Sequence, residues 1–187
     1  MEVYYSRLHT LSSVFLQTAV SIRREVTPQP HDAFDLESAE MERIRTEFTQ
    51  KSPRQGVGYV ATANVPNLAG PRIGYAYAHE LQTRRFFSRQ RFVEVGGICV
   101  RHTYRGADVA LGLAHHLFES FDEDLPLTNA EETMPPLLSG ALDDSQDAGS
   151  LMYDHIPRTV GEAREAVEKA LIRAAEQPAA GDSWGGW

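Results

Sequence analysis

The residues best suited to chemistry lie in one stretch, Phe92 to Ala114. A strand-forming segment ends at Val100, a short turn contains Arg105 and Gly106, and an apolar helical pattern follows at once. Such a junction aims several backbone N–H groups and the positive end of a helix dipole at one point. Glycine permits close backbone approach, and arginine adds a fixed positive charge. The stretch therefore predicts a binding site for an anion such as a phosphate.

The same stretch resembles the acyl-CoA-binding motif of the GCN5-related N-acetyltransferase (GNAT) superfamily. That motif is a strand ending in Val, followed by x-Pro-x-Tyr-Arg-Gly-x-Gly-Ile-Gly-x-x-Leu. The residues that match it or replace it conservatively are Val100, Tyr104, Arg105, Gly106, Val109, Ala110 and Leu113. Two residues depart from it, since Asp108 replaces the first motif glycine after the Arg-Gly pair and His102 replaces the proline. The resemblance covers roughly residues 57–128 and is only topological elsewhere.

The resemblance implies that the protein uses acetyl-CoA, or another acyl-CoA, as an acyl donor. Its pantetheine arm would lie between the fourth and fifth strands, against the backbone of Ile98, Cys99 and Val100. Its pyrophosphate would bind the backbone amides of Arg105, Gly106, Ala107, Asp108, Val109 and Ala110. Asn129 stands where the family often has an asparagine after its fifth strand.

The resemblance also implies that a substrate amine attacks the thioester directly, so that a base and an acid are needed. Glu94 lies on the same strand as the proposed pantetheine partners and is the candidate base; the alternative is an ion pair with Arg91 or Arg72. The family often carries a tyrosine, the acid, on the helix after the fifth strand, but residues 134–140 contain none. Tyr153 is therefore the candidate acid, and the alternative is a buried core tyrosine.

Cysteine and histidine side chains are also potentially reactive, but the sequence favours structural roles for both. Cys99 could form an acyl-enzyme, but a small apolar residue in a buried strand with no sequence-local base is the preferred interpretation. His115 and His116 fall on the predicted solvated face of a helix without a third ligand nearby in sequence, so we predict no metal site.

Hydrophobic periodicity outlines the elements that must position these residues. It predicts helices over about Leu8–Val26 and Asp35–Lys51, strands over Val57–Asn64, Arg72–Leu81 and Phe92–Val100, and a helix over Gly106–Phe121. The turn at residues 66–71 implies an antiparallel hairpin. In the second strand, Ile73, Tyr75, Tyr77 and Leu81 share one face, with Gly74, Ala76 and Ala78 on the other. In the last helix, Asp108, Gly112, His115, His116 and Glu119 are expected opposite the core.

Shorter elements follow. Leu125–Thr128 and Leu151–Ile156 are predicted strands, and Asn129–Leu142, with Pro135 and Pro136, can supply at most a short helix. Thr159 and Glu162 have capping-box spacing for a helix ending near Glu176. The expected fold class is α/β, a GNAT-like mixed, mostly antiparallel sheet with helices on both faces. We expect one domain over residues 1–176 and a mobile tail over 177–187.

The composition of the chain excludes some classes of function. The chain has 187 residues, one cysteine and a formal net charge of -8, which argues against a disulfide framework and a general nucleic-acid binder. Six arginines and one acid lie between Arg84 and Arg105, whereas 15 acids and four basic residues follow from Glu119 onward. No secretory leader or membrane span is apparent, so we expect a soluble cytoplasmic protein. The arginine-rich, lysine-poor composition suggests a GC-rich bacterial coding sequence.

The leading hypothesis is an acyl-CoA-dependent N-acetyltransferase that acts on a primary amine of a small molecule, amino acid derivative or peptide. One alternative is a non-catalytic binding or regulatory module with the same fold. Another is an acyltransferase whose donor is an acyl carrier protein, with the arginines of residues 84–105 meeting its acidic helix. A homodimer is a further possibility, because Trp184 and Trp187 could dock on a partner.

Overall fold

The computed structural model describes residues 2–26, 36–49, 57–63, 71–85, 88–104, 107–139 and 156–176. The strands are β1 (Val3–Leu8), β2 (Val57–Ala63), β3 (Arg72–Arg85) and β4 (Ser88–Val100). The helices are α1 (Ser13–Val26), α2 (Leu36–Thr49), α3 (Ala107–Phe118), α4 (Ala130–Ser139) and α5 (Val160–Glu176), and a 3-10 turn covers His102–Tyr104 between β4 and α3.

The four strands form one sheet in the order β1-β2-β3-β4, and each neighbouring pair is antiparallel. The outer edge of β4 takes one parallel bridge, between Val93 and Leu127. Pro126 forms an antiparallel bridge with Thr159, so the predicted strand over Leu125–Thr128 is present only as this short pairing. The sheet is therefore mixed and mostly antiparallel.

Helices cover both faces of the sheet, which confirms the predicted fold class. On β3, Ala76 and Ala78 pack against the core beneath α3 and α5, and Tyr75 and Tyr77 pack against the core beneath α1 and α2. Ile73 was expected beside the two tyrosines but packs in the α3/α5 core. The register between β2 and β3 shifts at Ala61 and Thr62, which interrupts the simple alternation of side chains at this point.

The first strand corrects the predicted start of the first helix. Residues Val3–Leu8 pair with β2, and α1 begins only at Ser13, where the Ser12 hydroxyl accepts a hydrogen bond from the backbone N–H of Phe15 at 3.2 Å. Leu8 therefore ends a strand rather than starting a helix. A serine whose hydroxyl accepts an N–H of the first turn is a typical helix N-cap.

Helix α3 confirms the predicted helix, with its C-terminus at Phe118 rather than Phe121. The predicted core positions Val109, Leu113, Ala114, Leu117, Phe118 and Phe121 are buried. Gly112, however, does not face solvent as predicted. A Cβ atom there would lie 2.1 Å from the Tyr5 hydroxyl oxygen, because β1 packs against this side of the helix.

The C-terminal elements follow the predicted order. Helix α4 includes both Pro135 and Pro136, within a length of ten residues. The Thr159 hydroxyl accepts the N–H of Glu162 at 3.2 Å, and the Glu162 carboxylate accepts the N–H of Arg158 at 2.7 Å, so the cap of α5 closely resembles the predicted capping box. Residues 151–155 and the predicted tail, 177–187, lie outside the described residues. No helix in the described ranges has the length and apolar character needed to cross a membrane.

Candidate acyl-CoA site and the charged face beside it

The predicted anion site lies where β4 leads into α3. Val100 ends β4, the 3-10 turn follows, and α3 begins at Ala107. Arg105 and Gly106 lie outside the described residues, as do the side chains of Ala107 and Asp108. The backbone of α3 presents the unpaired N–H groups of its first turn at this end of the helix, as any helix N-terminus does.

Among the described residues, the outer edge of β4 has partners at Val93 and Val95 and none farther along the strand. The N–H of Val93 donates to the carbonyl of Pro126 at 2.8 Å, and the carbonyl of Val93 accepts the N–H of Thr128 at 3.1 Å. At Val95 the partner is a side chain: the Asn129 Oδ1 accepts the N–H at 3.0 Å, and its Nδ2 donates to the carbonyl at 2.6 Å. Within the part of the chain that the structure describes, no strand pairs with this edge after Val95.

The register of β4 against β3 shows which peptide groups face the open edge. The N–H of Arg101 donates to the carbonyl of Ile73 at 2.8 Å, so Arg101 and, by alternation, Cys99 turn their peptide groups toward β3. Ile98 and Val100 then turn theirs outward. Of the three predicted backbone partners of pantetheine, these two offer peptide groups at the edge, whereas those of Cys99 face Tyr75.

A bulge interrupts β4 just before this open segment. Ala78 pairs with Val95 and Tyr77 pairs with Gly97, which leaves Gly96 as an extra residue. A Cβ atom on Gly96 would lie 2.0 Å from a carbon of the Tyr77 ring, so the ring requires glycine here. The bulge therefore combines an exposed stretch of backbone with a fixed aromatic ring.

Glu94, the candidate base, lies two residues before the bulge on the α1/α2 face. It is half-buried and pairs across the strands with His79, which is buried and was not identified from the sequence. The His79 ring meets the Tyr77 ring edge to face, with centroids 5.6 Å apart. No local sequence pattern could reveal this neighbour, because the contact depends on the register of two strands.

The two expected ion-pair partners of Glu94 have other contacts. Arg91 pairs with Glu80 at 2.5 Å and with Asp122 at 3.1 Å. The guanidinium of Arg72 lies over the Phe15 ring, 6.0 Å from its centroid. Glu94 itself lies opposite His79 in the register of β3 and β4.

A network of charged and phenolic groups lies on the same face as Glu94, and the sequence did not reveal it. Arg23 donates to both oxygens of Glu47, at 2.8 and 3.3 Å, and to the Tyr75 hydroxyl at 3.3 Å. The Tyr77 hydroxyl donates to Glu47 at 2.9 Å, and Glu40 accepts from Arg23 at 3.2 Å. Tyr77 thus connects the bulge to the charges on α1 and α2.

The network changes the acidity of its members. Burial would raise the pKa of Glu47, but the hydrogen bonds from Arg23 and Tyr77 outweigh burial and lower it. Burial, with the hydrogen bond to Glu47, raises the pKa of Tyr77. Burial also raises the pKa of Tyr75, and the neighbouring Cys99 adds to this effect. Both phenols therefore remain protonated at neutral pH, while Glu47 is charged.

Two of the described arginines in the segment 84–105, Arg91 and Arg101, lie far apart. Arg91 and Arg101 lie on the first half and just past the end of β4, about 33 Å apart along an extended chain. Arg101 pairs with Glu25 at 2.7 Å, and Arg91 pairs with acids as well. Arg91 and Arg101 therefore do not share one patch. The side chains of Arg84, Arg85 and Arg105 lie outside the described residues, so the hypothesis of a carrier protein as donor stays a prediction.

His115 and His116 on α3 have a third potential metal ligand nearby, Glu119, which was not counted from the sequence. Nitrogen or oxygen atoms of His115, His116 and Glu119 lie within 4.8 Å of one another, and Glu119 is 3.2 Å from the His116 Nδ1. The Tyr5 ring lies against His116, with centroids 4.8 Å apart. This cluster lies at the C-terminal end of α3, a full helix length from the candidate acyl-CoA site.

Tyr153, the candidate acid, lies outside the described residues, so its role stays a prediction. Cys99 is half-buried on the α1/α2 face and lies beside Tyr75. This position agrees with the preferred interpretation of Cys99 as a packed side chain.

No family model and no curated protein matches the chain. Solved structures do resemble it. A predicted acetyltransferase with acetyl-CoA from Clostridium acetobutylicum is 13% identical, with 78% of this chain and 93% of that chain covered and a TM-score of 0.48. An acetyltransferase from Trypanosoma brucei is 16% identical, with 78% and 95% covered and a TM-score of 0.45. The NatC complex bound to Gag peptide and CoA is 15% identical, with 75% and 83% covered and a TM-score of 0.44. At this level of similarity, these matches do not assign an activity to the chain.

Proposed function

We propose that the protein transfers an acyl group, most simply acetyl, from acyl-CoA to a primary amine. The observation that carries this proposal is the open edge of β4. The peptide groups of Ile98 and Val100 face outward between the end of the Val93–Leu127 pairing and the first turn of α3. An extended chain that contains amides can bind such an edge as an added strand.

The chemistry of acyl-CoA fits this arrangement. Pantetheine carries two amide groups that can exchange hydrogen bonds with Ile98 and Val100. The pyrophosphate would lie on the backbone amides of residues 105–110, where a helix N-terminus favours negative charge. Asn129 holds the peptide group of Val95 and so fixes where the open edge begins.

Glu94 is the proposed base. Bound acyl-CoA supplies a thioester, and the neutral amine must attack its carbonyl carbon. Glu94 would take a proton from the substrate ammonium group before attack, directly or through a water molecule. The attacking nitrogen loses its second proton as the C–S bond breaks, and the leaving thiolate takes a proton from an acid, for which Tyr153 is the candidate. Glu94 lies two residues before the bulge at Gly96 and is therefore close in sequence to Ile98, the first proposed partner of pantetheine.

The substrate amine would approach from the α1/α2 face, because Glu94 lies on that face. The acceptor is a small molecule, an amino acid derivative or a peptide. The charged network around Glu47 borders this approach, and its carboxylates suit a cationic acceptor.

Titration calorimetry with acetyl-CoA and with CoA, followed by thiol-release assays on a panel of amines, tests this proposal. We expect binding and turnover with at least one amine. Absence of acyl-CoA binding would overturn the proposal. Binding without turnover across the panel would support the non-catalytic module instead.

Replacement of Glu94 tests the base. We expect Glu94→Gln to lower kcat by about 100- to 10,000-fold with little change in the Kd for acetyl-CoA. Glu168→Gln, on the exposed side of α5, is the matched control and should retain the wild-type rate. A full rate for Glu94→Gln across the pH range would remove Glu94 from the mechanism.

A further inference from the structure

One carboxylate connects the C-terminal end of α1 to the segment that enters the proposed pyrophosphate turn. The Glu25 Oε1 accepts the backbone N–H of His102 at 2.8 Å, and its Oε2 pairs with Arg101 at 2.7 Å. Both partners lie immediately after β4 and before α3. Glu25 therefore contacts the chain only a few residues before the backbone amides that would bind the pyrophosphate.

Arg101 extends the contact to two more elements. Its Nε donates to the carbonyl of Arg72 on β3 at 3.1 Å, and its Nη2 donates to the Ser21 hydroxyl on α1 at 3.1 Å. The N–H of Tyr104 donates to the Arg101 carbonyl at 2.9 Å, which closes the 3-10 turn. Side chain and backbone of Arg101 thus hold the turn against both α1 and the sheet.

We propose that Glu25, Arg101 and the backbone N–H of His102 form a clamp that fixes residues 101–104, the segment that leads into the proposed pyrophosphate site. This inference rests on the proposed function. Glu25 is a positioning residue, because it acts through the backbone of His102 and not on the substrate. A turn held in its binding conformation loses less conformational entropy when a ligand binds, so the clamp increases donor affinity.

The Glu25 carboxylate is charged where the clamp is needed. The hydrogen bond from Arg101 lowers the pKa of Glu25, and the N–H of His102 contributes in the same direction. A hydrogen bond to a charged acceptor is stronger than one between neutral groups. The hydrogen bond to Glu25 is made by the backbone N–H of His102, and the imidazole of His102 is exposed.

Proline at position 102 removes that N–H and little else. His102 is the first residue of the 3-10 turn, where the fixed φ angle of proline is compatible with the backbone. His102→Ala removes the imidazole but keeps the N–H, and it serves as the matched control. Glu25→Ala removes the acceptor.

The test is a double-mutant cycle on the full-length protein, with the Kd for CoA measured by calorimetry. We expect His102→Pro and Glu25→Ala each to raise the Kd about tenfold. His102→Ala should bind CoA more tightly than His102→Pro does, because it keeps the backbone N–H. The double variant His102→Pro/Glu25→Ala should be no weaker than Glu25→Ala alone, because the two changes remove the same hydrogen bond.

Steady-state kinetics of the variants distinguish a positioning role of the clamp from a general loss of structure. We expect the KM for acyl-CoA to rise in the two weakened variants while kcat and the KM for the amine stay near wild type. An unchanged Kd in both His102→Pro and Glu25→Ala, with wild-type binding intact, would overturn the clamp alone. Failure of the wild type to bind CoA would overturn the proposed function and the clamp together.

Discussion

The two faces of the sheet are stabilised in different ways. The α3/α5 face buries a continuous apolar core, in which Leu113, Leu117 and Phe118 of α3 are fully enclosed. The α1/α2 face also has an apolar core, but two of its tyrosines make polar contacts. The Tyr75 hydroxyl accepts a hydrogen bond from Arg23, and the Tyr77 hydroxyl donates one to Glu47. The face that carries Glu94 is thus the one that keeps charges close to the sheet. One face is therefore an apolar core, and the other combines apolar packing with charged hydrogen bonds.

The largest effect is expected on the apolar face. Leu117→Ala should lower the free energy of unfolding by about 2–5 kcal/mol, because it removes buried methyl groups and leaves a cavity in a core with no polar partner. Denaturant unfolding at several pH values measures this loss, which should not depend on pH between 5 and 8. Ile172→Ala on α5, where the side chain is 53% exposed, is the control and should change little. Equal losses for the two variants would contradict the assignment of this face as the main core.

An intermediate effect is expected from Glu47→Gln on the charged face. At neutral pH the variant should lose about 1–2 kcal/mol, because Arg23 and Tyr77 lose their charged partner. The pKa of Glu47 is lower in the folded protein than in the unfolded chain, so its contribution is complete above the ordinary value of 4.5 and is lost as pH falls through the lower, folded value. Unfolding curves of wild type and variant should therefore converge below pH 4.5. A difference that stays constant down to pH 2 would show that the charge of Glu47 is not what stabilises this face.

The smallest effect is expected at the rim of the same network. Arg43 pairs with Glu47 at 3.1 Å, but its side chain is 60% exposed. Arg43→Ala should cost about 0.5 kcal/mol or less at low ionic strength and nothing measurable in about 1 M salt. Thermal unfolding in both salt concentrations measures this. A loss as large as that of Glu47→Gln would mean that the network does not divide into a buried centre and an exposed rim.

The elements with strong periodicity could be predicted from the sequence. The antiparallel hairpin of β2 and β3, strand β4 and the apolar helix α3 each carry a pattern long enough to identify the element. Strand β1 was missed because its residues run directly into the helical pattern that starts near Leu8, and the alternation of Val3 and Tyr5 is short. The error with Gly112 follows from this omission, since only β1 shows that the helix is covered on that side.

The candidate site was predictable where it is local and not where it depends on register. The junction of β4 and α3 is contiguous in sequence, so its motif was visible. The pairing of His79 with Glu94, the bulge at Gly96 and the outward direction of Ile98 depend on how β3 and β4 align. The contacts of Glu25 and Glu47 join residues from separate elements, and no spacing within one element encodes them.

The contact between Asn129 and Val95 also marks the last paired position, among the described residues, on the outer edge of β4. A neighbouring strand can extend its backbone pairing along an edge residue by residue. A side-chain amide pairs with one peptide group and has no hydrogen-bonding group left for the next. A shift of residues 125–128 by one position would separate the amide from Val95 and leave both of its groups without this partner. Asn129 therefore ties residues 125–128 to one register on β4, and within the described ranges the last partner on this edge is a side chain rather than a strand.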